Sequence, residues 1–138
     1  YGALYARSFF DTAKDELHYV DLDLNGVKVF DLEKDAYVKV YDESAITSPD
    51  AYDLFLDGPS AYLKITNEKV NNGQKLIVFR DSFASSLLPL FINSYEEIEV
   101  LDLRYYSESL LDELELASDA KVLFIYGSEF INQSGALR

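Results

Sequence analysis

The 138-residue sequence contains no cysteine and no methionine, and it has a single histidine, His18. Without cysteine, disulfide bonds, thiolate metal sites and a cysteine nucleophile are excluded. The lack of methionine, together with a first residue Tyr1, predicts a piece of a longer polypeptide. Because histidine is the side chain most often used as a general base, the chain has few means of activating a nucleophile.

Positive charge is also scarce. Twelve Lys and Arg residues stand against 25 Asp and Glu residues, which gives a net charge of −13. Such a chain repels phosphates, so we expect no nucleic-acid partner and no contact with an anionic membrane surface. The longest apolar run, Leu87 to Ile92, is too short to span a bilayer. Length and a 49% apolar content predict one globular domain, residues 1–138.

Residues 1–46 have the pattern of a β-rich segment. Apolar residues alternate with polar ones over residues 17–32, and Asn25-Gly26 lies between two such runs. This dipeptide is a strong hairpin signal, because a type I′ turn requires two positive φ angles. Residues 36–42 read as a further strand, so the segment predicts an antiparallel meander.

Residues 47–138 have the pattern of an α/β portion. A short helix is predicted within 48–58, with Ser48 as its N-cap, Pro49 at its first position and Gly58 at its exit. Three short runs rich in branched residues follow (75–79, 98–103 and 121–126), separated by helical stretches near 83–93 and 107–117. Strands alternating with helices predict a three-layer arrangement, a parallel sheet with flanking helices, preceded by the β-rich segment.

The stretch KLIVFRDSF sets Ser82 directly after a predicted strand and at the start of a predicted helix. In a parallel sheet, ligands and catalytic groups collect at this end of the strands. The first N–H groups of the helix would face an oxyanion near the hydroxyl. The glycines of a nucleophile elbow are missing, however, and the alternative is that Asp81 or Ser82 only caps the helix.

A nucleophilic serine needs a base, and His18 lies in the β-rich segment, where a surface or structural histidine is expected. The residues therefore predict an incomplete triad. Arg104 follows the second parallel strand. It is expected to pair with Asp81 or Asp102, or else to bind an anionic or acyl oxygen.

Other motifs are expected to be structural. Tyr105 and Tyr106 either line the same rim or pack, and Tyr106 would contact Leu111 across a cap at Ser107. Residues 21–26 resemble the start of a calcium loop, but position twelve would be Leu32, so no metal is expected. The acidic clusters are expected to be solvated faces.

Several blocks carry a resemblance to the DHHW protein family: KLIVFRDSFASSLLPLFINSYEEIEVLDLRYY, YDLFLDG upstream and VLFIYGSEF downstream. These are bacterial surface or exported proteins, related to SGNH hydrolases and to alginate O-acetylation proteins. The likeness is most specific over RDSF, LLPLF and DLRYY, and it implies that the chain is the C-terminal portion of a longer protein. The α/β fold would then be SGNH-like.

The resemblance implies that Ser82 is the catalytic nucleophile, and we expect Asp81, Phe83 and Arg104 to bind substrate around it. The family's Asp and His lie in a DHHW motif upstream, which this chain lacks, so the chain alone is expected to be inactive. The implied activity is acyl-ester hydrolysis or acetyl transfer on a cell-surface polysaccharide, with no cofactor. The alternative is a non-catalytic module of the same fold that binds glycan or protein.

Overall fold

A six-stranded sheet with parallel and antiparallel pairs forms the frame of the protein. The structure is a computed structural model that describes residues 16–105, 116–128 and 132. Its elements in chain order are β1 (Val27–Asp31), β2 (Ala36–Val38), η1 (Glu43–Thr47), η2 (Ala51–Leu54), β3 (Tyr62–Asn67), β4 (Lys75–Arg80), η3 (Ser82–Ser86), η4 (Leu88–Phe91), β5 (Glu97–Leu101) and β6 (Lys121–Ile125). The four η elements are 3-10 helices, and the strand order is β2-β1-β3-β5-β4-β6.

Strand directions bring four strand ends to one edge of the sheet. β4 is parallel to β5 and to β6, whereas β1–β2, β1–β3 and β3–β5 are antiparallel pairs. Because β3 opposes both β1 and β5, strands β1, β4, β5 and β6 all run in the same direction. Their last residues lie at one edge, which we call the carboxyl edge.

Alternation along the strands builds two apolar clusters, one on each face. Leu76 and Val78 of β4 belong to the larger cluster and are covered by Leu88 and Ile92. On the opposite face, Ile77, Tyr62 and Leu101 form a smaller cluster against which Leu116 and Ala120 pack. The connections after β4 and after β5 thus cover different faces. The β4–β5 and β5–β6 connections run in opposite directions across the sheet, because β6 lies on the other side of β4 from β5. If both crossovers are right-handed, they must therefore cover opposite faces.

The predicted fold class, a three-layer SGNH-like α/β sheet with flanking helices, is wrong. The three parallel strands lie where the branched runs placed them, but β3 pairs antiparallel with β5 and joins the β-rich segment into the same sheet. β3 was not predicted as a strand. Every helical element with described bounds is a short 3-10 helix, so the sheet is mixed and the described part has no layers of α-helices.

The predicted helix over 83–93 is replaced by η3 and η4. Leu87 ends the first and caps the second, and Pro89 stands near the start of η4. Proline has no N–H to donate and clashes with the preceding turn, so it kinks or breaks an α-helix whose interior it occupies. The predicted helix over 107–117 and the Tyr106–Leu111 contact involve residues 106–115, which lie outside the described residues. Within the described ranges, no helix is long and apolar enough to cross a membrane.

The turns of the β-rich segment are placed differently from the prediction. Gly26 has a positive φ of 82° and β1 follows it, but the residues before it form no strand. The hairpin instead joins β1 to β2 through residues 32–35, where Asp35 has φ 47°. The short helix predicted within 48–58 is η2. Its N-cap is Asp50, whereas Ser48 ends η1.

Glu99 gives the fold a testable pH dependence. It is almost fully buried on the face of β5 that carries the smaller cluster, and burial raises the pKa of its carboxyl although Ala117, Lys64 and Tyr62 act to lower it. The folded state therefore binds the Glu99 proton more tightly than the unfolded state. Stability falls as pH rises from the ordinary glutamate pKa to the raised one, and the loss is complete above it.

We therefore expect Glu99→Gln to raise the melting temperature at neutral pH and to flatten its dependence on pH in the acidic range. Glu68→Gln is the matched control, because Glu68 is exposed, its ion pair with Lys28 contributes little, and it does not act on the pKa of Glu99. Thermal unfolding followed by circular dichroism measures both. An unchanged pH profile for Glu99→Gln would contradict the raised pKa.

Candidate active site

Ser82 lies at the carboxyl edge, two residues after β4 ends at Arg80. It is the first residue of η3 and is exposed to solvent. As the first N–H of a helix, its backbone donor has no acceptor inside η3. Its hydroxyl forms no hydrogen bond with another described residue. The placement at a strand–helix junction agrees with the sequence, and the role of Ser82 as nucleophile stays a prediction.

Asp81 fixes the turn that presents Ser82. Its carboxylate is buried and accepts hydrogen bonds from two backbone N–H groups, that of Phe83 at 3.0 Å and that of Gly127 at 2.5 Å. The Asp81 N–H in turn donates to the carbonyl of Ile125 at 3.1 Å. Asp81 thus has the capping role that the sequence offered as the alternative, and it ties η3 to the end of β6. Its predicted part in substrate binding stays a prediction.

Gly127 permits the close approach of β6 to this turn. A Cβ atom there would lie 3.0 Å from the Phe83 ring and 3.2 Å from Asp81 Oδ2, which is tighter than most such contacts, so these side chains would have to shift by a few tenths of an ångström. The sequence analysis did not single out Gly127. The only signal for it was a glycine directly after a branched run. The Phe83 ring itself is 70% exposed and lies against Gly127, so it forms an apolar surface on the turn.

Arg104 is held by Asp102, one of the two partners predicted for it. Its Nε and Nη2 donate to the two carboxylate oxygens at 2.9 and 2.6 Å, and its backbone N–H donates to Oδ1 at 3.1 Å. Asp102 is fully buried, and its hydrogen bond raises the pKa of Arg104. The guanidinium also lies 5.3 Å from the centre of the Tyr105 ring. No described hydrogen bond joins Arg104 to Ser82, so substrate binding by Arg104 stays a prediction.

Arg80, which the sequence analysis did not single out, is a charge buried beneath the turn. It is 1% exposed, and its Nη1 donates to Ser85 Oγ of η3 at 2.8 Å. Its Nε and Nη2 have no hydrogen-bond partner among the described residues. Burial lowers the pKa of Arg80, while Asp102 and Asp81 act in the opposite direction.

Tyr52 braces η3 from the other side. Its hydroxyl accepts from the Ser86 N–H at 3.2 Å, and it lies 3.1 Å from the Phe83 carbonyl, to which it can donate. It also lies 3.0 Å from Ser86 Oγ. Tyr52 belongs to η2, in the YDLFLDG block. The turn around Ser82 is therefore held by η2, by β4 and by the end of β6.

The positive and negative side chains around the turn at Ser82 are equal in number among the described groups considered next. Two guanidinium groups, those of Arg80 and Arg104, share the region with the carboxylates of Asp81 and Asp102. Burial raises the pKa of Tyr126, and Asp102 and Asp81 raise it further. The region thus has little net charge, although the whole chain is strongly acidic.

His18 does not complete this arrangement. It is exposed, and its Nε2 lies 3.2 Å from Glu16. No described contact links it to Ser82. In the calcium-like loop, residues 21–26, the Asp23 carboxylate is already in use. It accepts a hydrogen bond from the Asn25 side chain at 2.7 Å and one from Lys69 Nζ at 2.7 Å. The described ranges contain no group of three acidic or histidine side chains arranged to hold a metal.

Taken together, the sheet and the turn define a mixed-sheet protein that presents a serine at its carboxyl edge. The family model of the DHHW proteins matches residues 6–101. That is more than half of the chain, so the chain belongs to the DHHW protein family. Among curated proteins, none matches it.

Solved structures share the fold. A DHHW family protein from Eubacterium siraeum DSM 15702 is 25% identical, with a TM-score of 0.59 over 80% of this chain and 38% of that one. Bacillus cereus PatB1 is 22% identical, with a TM-score of 0.55 over 76% of this chain and 36% of its own. A PatB1 structure with a sulfonyl adduct gives 21% identity, the same TM-score and 76% and 38% coverage. The chain thus spans well under half the length of these proteins.

The double hydrogen bond of Asp81 predicts a large loss of stability on its removal. Asp81→Ala leaves the N–H groups of Phe83 and Gly127 without their acceptor, so we expect the free energy of unfolding to fall by about 2–4 kcal/mol. Asp50→Ala is the matched control. Asp50 caps η2 through one bond to Tyr52, and its loss is expected to cost about 1 kcal/mol.

Chemical denaturation of the two variants measures the difference. Equal losses would show that the bond to Gly127 adds nothing to the cap.

Proposed function

We propose that the longer DHHW protein carries out acyl-ester chemistry, with Ser82 as the nucleophile and a cell-surface polysaccharide as the substrate. The observation that carries this proposal is the exposed Ser82 hydroxyl, presented at the carboxyl edge by a turn held on three sides. Membership of the DHHW family supports an acyl-related role. In this proposal the longer protein catalyses the reaction outside the cell or at the cell surface.

In the proposed reaction, Ser82 Oγ attacks the ester carbonyl carbon while a base takes its proton. The N–H of Ser82 at the start of η3 helps to hold the negative charge that develops on the carbonyl oxygen. The sugar alkoxide then leaves with the proton, and an acyl group remains on Ser82. Water completes hydrolysis by attacking this ester, whereas a second hydroxyl completes transfer.

The base belongs to the part of the longer protein that this chain does not include. Among the described residues no histidine approaches Ser82, and both carboxylates near the turn are engaged, Asp81 by backbone N–H groups and Asp102 by Arg104. Phe83 offers an apolar wall for the acyl group. Arg104, fixed by Asp102, offers N–H groups toward a substrate oxygen.

Covalent labelling tests Ser82 directly. We expect phenylmethylsulfonyl fluoride to add one sulfonyl group to the longer protein, detected by intact mass, because such reagents bond to activated serine hydroxyls. Ser82→Ala should abolish labelling and lower the turnover of an aryl acetate by roughly 10³-fold or more. Ser94→Ala, which removes an exposed serine at the opposite end of the sheet, should change neither.

Equal labelling of Ser82→Ala and the parent would remove Ser82 from the chemistry. If the longer protein takes up no label and turns over no ester, the non-catalytic binding module is favoured.

The 138-residue chain alone should neither take up the label nor turn over the aryl acetate, because no free base lies beside Ser82 among the described residues. The same intact-mass and absorbance assays check this. Turnover by the chain that disappears in Ser82→Ala would contradict the assignment of the base to the longer protein.

A further inference from the structure

Arg80 is a buried cation with few hydrogen bonds. It is the last residue of β4, directly before the turn that leads into η3, and it is 1% exposed. A guanidinium group carries five N–H donors, and the described contacts use only Nη1, which donates to Ser85 Oγ at 2.8 Å. Nε and Nη2 find no acceptor in the part of the chain that the structure describes. Burial of a charge with so few hydrogen bonds is costly, because the lost contacts with water are not replaced.

Arg104 provides a comparison at the same edge of the sheet. Its Nε and Nη2 donate to the two oxygens of Asp102, and about a third of its side chain remains exposed. Asp102 also attracts Arg80, but no described hydrogen bond joins the two. Arg80 is thus the more deeply buried and the less well paired of these cations. Because an apolar side chain of similar volume in place of a buried charge is often neutral or stabilising, stability does not account for an arginine at position 80.

The hydrogen bond that Arg80 donates acts on η3, the helix that begins at Ser82. Its acceptor, Ser85, is buried near the end of η3. The next residue, Ser86, is held from the other side, since its N–H and its Oγ lie 3.2 and 3.0 Å from the Tyr52 hydroxyl. A 3-10 helix of five residues is too short to keep a fixed position through its own hydrogen bonds. The end of η3 is therefore fixed by side chains of β4 and η2.

We propose that Arg80 is a positioning residue for the reaction at Ser82. It fixes the end of η3 through Ser85, so that the Ser82 hydroxyl keeps one orientation at the carboxyl edge. This inference rests on the proposed function, and in it Arg80 neither touches the substrate nor transfers a proton. Its contribution is geometric, because a displacement of about 1 Å at a reacting atom can slow a reaction about 100-fold. The fold is then less stable than with an apolar residue at position 80, and the nucleophile is better fixed.

A double variant of the longer protein separates a positioning role from a stabilising one. Arg80→Met combined with Ser85→Ala replaces the donor and its acceptor by apolar groups, so neither is left unpaired. We expect the melting temperature to equal or exceed that of the unaltered protein. The kcat for an aryl acetate should fall about 10- to 100-fold, while KM stays within about twofold, because Arg80 does not touch the substrate. A residue that served stability alone would give the opposite pattern, a lower melting temperature and an unchanged kcat.

Two single variants are the controls. Ser85→Ala leaves Arg80 without its one described hydrogen bond, so both the melting temperature and kcat should fall. Val29→Ala removes buried methyl groups from β1, which two strands separate from β4, and should lower the melting temperature without changing kcat well below unfolding. Lower stability by itself would then not account for a loss of kcat. Circular dichroism gives the melting temperatures, and absorbance gives the turnover.

The outcomes separate this inference from the proposed function. Turnover of the double variant at the rate of the unaltered protein would overturn the inference and leave Ser82 as the nucleophile. A lower melting temperature of the double variant would also overturn it, since Arg80 would then stabilise the fold. If the unaltered longer protein neither takes up phenylmethylsulfonyl fluoride nor turns over the ester, the proposed function fails, and the role of Arg80 fails with it.

Discussion

Buried aspartates at the ends of parallel-running strands hold the carboxyl edge together. Asp31, Asp81 and Asp102 stand at the ends of β1, β4 and β5, each at most 3% exposed. Each accepts a hydrogen bond from the backbone N–H two residues later, so each turns its strand into the following loop in the same way. Buried carboxylates are costly unless their oxygens are occupied. Both oxygens of Asp81 and of Asp102 accept hydrogen bonds, whereas Asp31 Oδ2 has no hydrogen-bond partner among the described residues and lies 3.5 Å from Lys34 Nζ.

Asp81 differs from the other two because its second oxygen reaches another strand. The bond to Gly127 joins residues 46 positions apart in sequence and locks η3 against the end of β6. Asp31 uses Ser60 and Lys34 in addition, and Asp102 uses Arg104. Aspartate thus ends three strands with different hydrogen-bond partners. Of the three residues that follow these aspartates, only Ser82, after Asp81, carries a hydroxyl group, and it is exposed. The position of Ser82 follows from the hydrogen bonds that the Asp81 carboxylate accepts from Phe83 and Gly127.

The parts of the fold that the sequence predicted correctly are those that depend on local pattern. The branched runs located β4, β5 and β6. Strands buried on both faces, as β4 and β5 are, require such residues, whereas β6 has the same composition and is largely exposed. Asn25-Gly26 predicted a positive φ at Gly26 but placed the hairpin too early. The real turn uses Asp35, which carries no comparable signal. β3 was missed because KITN reads as half-polar, and its place in the sheet depends on pairing with β5.

The same distinction, between features set by local sequence and features set by distant contacts, holds for the residues of the candidate site. Ser82 and the strand–helix junction are adjacent in sequence and were found, as was the Arg104–Asp102 pair. Gly127, Tyr52 and Arg80 were not, since each acts through a contact with a distant element or through burial. The helix predicted over 83–93 failed because Pro89 stands inside its apolar pattern. Periodicity alone does not register a missing N–H donor.

The charges around Ser82 show what the described residues contribute to the proposed reaction. Attack on an ester generates an oxyanion, which nearby cations or donors must stabilise. Arg104 is neutralised by Asp102, and Arg80 is buried below the turn and donates to Ser85. A short 3-10 helix contributes few free N–H groups. The described residues therefore position a serine without activating it, and the proposed reaction requires a base and further hydrogen-bond donors from outside the described residues.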